Sequence, residues 1–122
     1  MDVSRLEGAP EITMRTVRRD GSWSSRPIWV VVVDEQPYVR SANGERGVWY
    51  RKVLSGAEAE IVADGQTAPI TGEPVRDQAM NELVSQAYRD KYAASSPGST
   101  DAMNSGESRV TTLRLNVPAR SS

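Results

Sequence analysis

The chain of 122 residues contains no cysteine and no histidine. The first absence excludes a disulfide scaffold, thiolate metal sites and a cysteine nucleophile. The second excludes a Ser-His-Asp triad, imidazole zinc sites and the commonest general base. No run of about 18 apolar residues is present, so no membrane span is expected. Met1 to Pro10 lacks the basic-then-apolar pattern of a secretory leader. A soluble, cytoplasmic protein is therefore the expectation.

What is present is enough for one domain, taken as residues 1–122. A chain of this length buries about two-thirds of its surface on folding, enough for a core without staples. The formal net charge is −1. That sum hides a gradient, because residues 15–52 carry net +4 and residues 53–108 net −6. Of 15 cations, 13 are arginine. A planar guanidinium fork suits bidentate contact with phosphate or carboxylate, although compositional bias explains the arginines equally well. A nucleic-acid binder is normally basic overall. The pI near 5.5 argues against one, and no nucleic-acid partner is expected. A small anionic ligand needs only two or three well-placed arginines.

Glu11 to Arg19 alternates with period two and predicts a strand. Asp20-Gly21-Ser22 is turn chemistry, with Trp23 placed in the turn region. The β-branched run Ile28 to Val33 predicts a central strand covered on both faces. After the polar turn Asp34-Glu35-Gln36, Pro37 opens a third strand through Ser41, completing a meander. Apolar pairs four apart within Glu45–Leu54 (Trp49 with Val53, Tyr50 with Leu54) predict one short helix. Glu58–Ala63 and Gln66–Glu73 predict two strands around Asp64-Gly65, a type I′ hairpin signal. Asp77 is a plausible N-cap for an amphipathic helix to about Tyr92, with Met80, Leu83, Val84 and Ala87 inward. Ala93–Glu107 is small and polar, and reads as a mobile loop or a lid. Arg109–Val117 closes the fold as a strand, and Pro118–Ser122 is a loose tail. The expected fold is mainly β: a six-stranded antiparallel barrel with two helices.

Several local motifs and their order resemble the flavin-binding split β-barrels, above all the deazaflavin-dependent nitroreductase group and its uncharacterised bacterial relatives. The likeness rests on Arg26-Pro27-Ile28-Trp29-Val30-Val31, Tyr38-Val39-Arg40-Ser41, Gly44, Val48-Trp49-Tyr50-Arg51 and the Asp64-Gly65 hairpin. It spans roughly residues 13–92. It implies an FMN-binding-like split barrel, a cofactor that is FMN or a deazaflavin coenzyme, oxidoreductase activity, and pairing as a homodimer. The chain also departs from the pattern. The family's Gly-Arg-x-Ser-Gly turn is here Arg19-Asp20-Gly21-Ser22-Trp23. The glycine pair after the third strand is reduced to Asn43-Gly44, and the lysine beside it is absent. Ser55-Gly56 replaces an Asn-Pro turn.

The resemblance implies a cofactor phosphate near the third strand's end and the short helix's start, where Arg40, Ser41, Asn43, Gly44 and Arg51 stand. Backbone N–H groups at a helix start attract anions, glycine permits close approach, and arginine adds bidentate contacts. The competing reading is a plain turn with solvated arginines. Trp29 and Trp49 either pack in the core or wall a flat ring. Trp23, flanked by Arg18, Arg19 and Arg26, suits a ligand mouth or an interface. Neither Asp34-Glu35 nor Glu58 with Glu60 reads as a metal or glycosidase site, so no metal is expected. The alternative function is a non-catalytic barrel, a ligand-binding or interaction module that has lost the phosphate site.

Overall fold

The structure is a computed structural model that describes residues 1–118; the expected loose tail falls, beyond Pro118, outside the described residues. One antiparallel sheet contains β1 (Ile12–Val17), β2 (Trp23–Ile28), β5 (Ala59–Ala63) and β6 (Gln66–Pro69), in the order β2-β1-β5-β6. The other contains β3 (Val31–Val33), β4 (Gln36–Val39), β7 (Thr71–Pro74) and β8 (Leu113–Asn116), in the order β3-β4-β8-β7. Five α-helices accompany them among the described residues: α1 (Val3–Gly8), α2 (Val48–Leu54), α3 (Gln78–Tyr92), α4 (Pro97–Met103) and α5 (Gly106–Arg109).

The mainly-β reading stands, but the strand count among the described residues is eight and not six. One extra strand is β2, which includes residues expected in a turn. The turn itself is closed by Arg18 and Ser22, whose backbone groups bond at 2.7 Å, with Gly21 at φ +88. Trp23 is thus the first residue of a strand, paired with Val17. The second extra strand arises because Gln66–Glu73 bends at Ile70 and continues in the other sheet. The β-branched run is likewise divided. The chain leaves β2 at Ile28, turns through Trp29-Val30, and enters the second sheet as β3. These two crossings join the sheets, so the expected meander does not form and β3 is an edge strand.

Both faces of the valine run are nevertheless covered, as its composition requires. Val30 and Val32 face the inter-sheet core with Ile12, Met14, Ile61, Leu113 and Leu115. Val31 and Val33 face a second cluster with Tyr38, Val84, Tyr88, Tyr92 and Met103, under α3. At the crossing, Val30 cannot pair within either sheet. Its N–H donates to the Tyr92 hydroxyl at 3.2 Å, and its carbonyl accepts from Tyr92 at 3.1 Å and from Lys91 Nζ at 2.7 Å. Buried backbone groups need such partners.

The Asp64-Gly65 hairpin forms as expected, with positive φ at both residues. Asp34-Glu35 makes the same kind of two-residue turn at φ 50 and 66. The expected helix over 45–54 is divided by Gly47, whose extended ψ of 129 separates a 3-10 turn (Gly44–Arg46) from α2. Asp77 caps α3, accepting from the Ala79 and Met80 amides at 3.3 Å. The inward face of α3 differs from the apolar pattern: Leu83 is 50% exposed, while Asn81 and Ser85 are buried beside Val84, Tyr88 and Tyr92. Residues 93–107 are not an irregular loop. Pro97, acceptable in a helix's first turn, opens α4, and Thr100, Met103 and Ser108 are buried.

Tyr88 is fully buried and its hydroxyl has no hydrogen-bond partner. Burial raises its pKa well above the ordinary tyrosine value, and it also raises those of Tyr38, Tyr50 and Tyr92. A raised folded pKa gives stability that is intact below the unfolded value of about 10 and lost as pH climbs above it. Tyr88→Phe removes an unpartnered polar group and this titration together. Urea unfolding of the variant should show no loss of stability at neutral pH and a shallower alkaline decline than wild type.

Candidate functional site

A cleft of about 510 Å³ opens beside the inner face of the β1–β2 hairpin. Register fixes which hairpin residues share that face: Thr16 stands opposite Ser24, Met14 opposite Arg26 and Ile12 opposite Ile28. Met14, Thr16, Ser24, Arg26 and Ile28 line the cleft. Trp29, Asn43, Gly47 and Trp49 add further wall, and α4 contributes Ser99, Ala102 and Met103. The size lies within the usual range for small-molecule sites, about 300–1,000 Å³.

The two tryptophans combine the readings that the sequence left open. Trp49 is 9% exposed and belongs to the inter-sheet core, yet its surface meets the cleft. Trp29 stacks on Tyr92 at 3.9 Å between centroids and 4° between planes, and it too reaches the cleft wall. Because Tyr92 is held by both polar groups of Val30, the stack is a fixed platform. Arg26 is exposed, and no ion pair or side-chain hydrogen bond engages it among the described residues. Glu11 also lies at the rim.

Of the residues that the resemblance assigns to a phosphate, Arg40 has the most distinctive surroundings. It is 1% exposed. Its Nε donates to Thr112 Oγ1 at 2.8 Å. Nη1 donates to Ser85 Oγ at 3.0 Å, Asn104 Oδ1 at 2.9 Å and the Met103 carbonyl at 3.2 Å. Nη2 donates to the Asn81 carbonyl at 3.0 Å. The guanidinium also lies 5.4 Å from the Tyr88 ring centroid. Desolvation pulls its pKa down to about 10. Arg40 borders the cleft floor, but all three of its nitrogens already hold protein acceptors. The polar residues on the inward face of α3 are explained by this demand.

Ser41 is buried, with its amide donating to Thr111 Oγ1 at 2.8 Å and its own hydroxyl without a partner. A side chain at Gly47 would strike that hydroxyl. Gly44 has φ +62, and a Cβ there would stand 2.5 Å from Glu107 Cγ. The Gly44 turn is thus covered by a carboxylate side chain. Arg51 is exposed and does not line the cleft. The structure therefore brings Arg26, Trp29, Arg40, Asn43 and Trp49 to one cleft, with Ser41 and Gly44 behind its wall and Arg51 elsewhere. Trp23 lies under the Arg15 guanidinium at 5.0 Å, and Arg15 pairs with Glu60. Met14 and Thr16 lie on the strand that the period-two run predicts but were not read as site residues, and Ser24 was missed because β2 was; the alternation Ser24, Arg26, Ile28 was its available signal. The α4 wall carries no periodic signal.

Replacing Arg40 tests its structural role. Arg40→Met leaves several buried acceptors without donors, each costing about 1–3 kcal/mol. The variant should lose at least about 3 kcal/mol in urea unfolding, with Arg40→Lys intermediate. Arg51→Ala should unfold like wild type.

No curated protein matches the sequence. Among solved structures, a protein of unknown function from Agrobacterium tumefaciens aligns with TM-score 0.70 at 14% identity, over 94% of this chain and 52% of its own. An F420-H2 dependent reductase aligns with TM-score 0.62 at 14% identity, over 89% and 94%. A FAD and heme binding protein from Mycobacterium smegmatis aligns with TM-score 0.59 at 19% identity, over 93% and 62%. The chain spans about half the length of the Agrobacterium protein. At these identities the likeness is one of fold. The family model described as "Uncharacterized protein conserved in bacteria (DUF2255)" matches residues 2–115, and the chain belongs to that family.

Proposed function

We propose that the cleft binds a flavin-type cofactor, FMN or a deazaflavin coenzyme, and that the protein acts as an oxidoreductase. The observation that carries this reading is the pairing of an aromatic platform, Trp29 stacked on Tyr92, with an unengaged arginine, Arg26, on one cleft wall. Arg26 stands within β2 and Trp29 just beyond its end, so the cation and the platform occupy different points of the wall. Trp29 and Trp49 would hold the ring, and Arg26 with the Ser24 hydroxyl would hold the tail. A bound cofactor of this type carries the hydride or electrons, while the protein supplies orientation and dry walls. That division of labour needs no histidine or cysteine.

A specific observation favours the alternative, a non-catalytic ligand-binding barrel. Arg40, assigned to the phosphate by resemblance, is turned into the protein and engaged there. Its guanidinium offers the cleft a positive field, and each of its three nitrogens already donates to the protein.

The test is an absorption spectrum of freshly purified protein, then titration with FMN, riboflavin and the deazaflavin coenzyme, read by tryptophan fluorescence. Saturable quenching is expected. Arg26→Ala should weaken FMN about tenfold, the effect of losing one charge-assisted hydrogen bond, and should change riboflavin much less. Arg51→Ala should change neither. No colour and no quenching would remove the oxidoreductase reading and leave the ligand-binding module.

A further inference from the structure

The walls of the cleft are held in two different ways. The hairpin wall is a hydrogen-bonded sheet over the main core. The opposite wall is α4, part of a segment, residues 97–109, whose composition is dominated by serine, glycine, threonine and alanine. Met103 is the only large apolar side chain that this segment buries. Its other anchors are polar. Arg40 Nη1 donates to the Met103 carbonyl and to Asn104 Oδ1. Asn104 Nδ2 donates to the Ser85 carbonyl at 3.1 Å. Arg109 pairs with Glu82 on α3 at 2.6 Å. Glu107 packs across Gly44.

Local opening free energy tracks buried apolar contact, so such a segment opens before the sheets do. We infer that residues 97–109 form a separately opening wall of the cleft, a lid pinned shut at its middle by Arg40 and at its end by Glu107 over Gly44 and Arg109 on Glu82. The Arg40 pin has a particular consequence. The same guanidinium borders the cleft floor and clasps the α4–α5 junction, so the lid's closure and the floor's geometry are set by one group. Release of Met103 and Asn104 leaves Ser85 alone on Nη1 and frees one of its two N–H groups. In the open state Arg40 regains a donor for an anionic ligand, which the closed state denies it. The last step rests on the ligand reading above; separate opening of the segment does not.

Native-state hydrogen exchange on the ligand-free full chain tests the lid directly. In wild type, amides of Thr100, Asn104 and Arg109 should exchange faster than those of Val84 and Tyr88 on α3. Asn104→Ala removes one bond from Arg40 and one to Ser85. It should speed exchange in 97–109 by about tenfold or more, leaving Val84 and Tyr88 at wild-type rates. Arg109→Ala should act the same way more weakly, because Glu82 is exposed. Arg5→Ala breaks the Arg5–Asp64 pair, which joins α1 to the β5–β6 turn and involves no residue of this segment, and should leave the segment unchanged. Exchange of 97–109 in step with α3, in wild type and in Asn104→Ala alike, would overturn the proposal. FMN and riboflavin, added as probes, then separate the two readings. Slower exchange in 97–109 on binding supports gating. Quenching without any change in exchange overturns gating while the ligand reading stands. Absence of quenching removes the ligand reading, and the ligand-free exchange data still decide the lid.

Discussion

A buried guanidinium without a carboxylate partner is the constraint on which the rest of the structure depends. Arg40 follows β4 directly, and its three nitrogens reach α3, the α4–α5 junction and Thr112 at the entry to β8. Burying such a charge costs several kcal/mol unless its hydrogen bonds are satisfied. Here they are met by neutral oxygens and by the face of Tyr88. Neutral acceptors ask for less desolvation than a carboxylate would, so the arrangement holds four segments together without a second buried ion. It also dictates sequence elsewhere. Asn81 and Ser85 occupy the inward face of α3 because Arg40 needs oxygens there, and Leu83 is displaced to solvent in consequence.

The second organising feature is the passage of the chain between sheets. At Trp29-Val30 the backbone leaves one ladder before joining the next, and Tyr92 and Lys91 supply the missing partners. This repair fixes the last turn of α3 against the crossing. It also holds Trp29 flat on Tyr92 at the cleft wall. The cleft's aromatic surface is thus a by-product of closing the barrel. Lys91 is held there by two carbonyls, and desolvation lowers its pKa to about 8.

Much of this was legible in the sequence, for identifiable reasons. Period-two runs found β1 and β5, and the φ demands of Asp64-Gly65 found the β5–β6 hairpin. Asp77 announced α3 because its carboxylate can do little else at that position. What escaped has equally physical causes. Ser24, Ser25, Arg26 and Pro27 have weak strand propensity, and β2 forms because β1 offers it a ladder. The bend at Ile70 is a tertiary event, since the residue leaves one sheet only where another waits. α4 and α5 lack an apolar stripe, being held by Arg40 and by small buried hydroxyls. Arg40 itself looked like a ligand-facing cation because an arginine after a strand gives no sign of which way it turns. Five oxygens scattered between positions 81 and 112 decide that, and no local spacing reveals them.

The inward turn of Arg40 changes how binding energy would be distributed in the cleft. A phosphate site built from several cations and backbone amides gains about 1.5–3 kcal/mol from each charge-assisted bond. Here one exposed arginine is available for such a bond, and Glu11 at the same rim opposes a dianion. The aromatic walls are not diminished. Each offers a large apolar surface, and a well-placed ring pair adds about 0.5–1.5 kcal/mol beyond the area it buries. For the proposed flavin-type ligand, the ring would therefore contribute the larger share of affinity and the phosphate the smaller. A cleft of this kind distinguishes ligands by planarity and shape more than by charge. It regains charge selectivity only when the α4 wall releases Arg40. Where the resembling pattern has a glycine pair and a lysine, this chain has Asn43-Gly44 and no lysine, and the arginine beside them serves the core as the fold's central clasp.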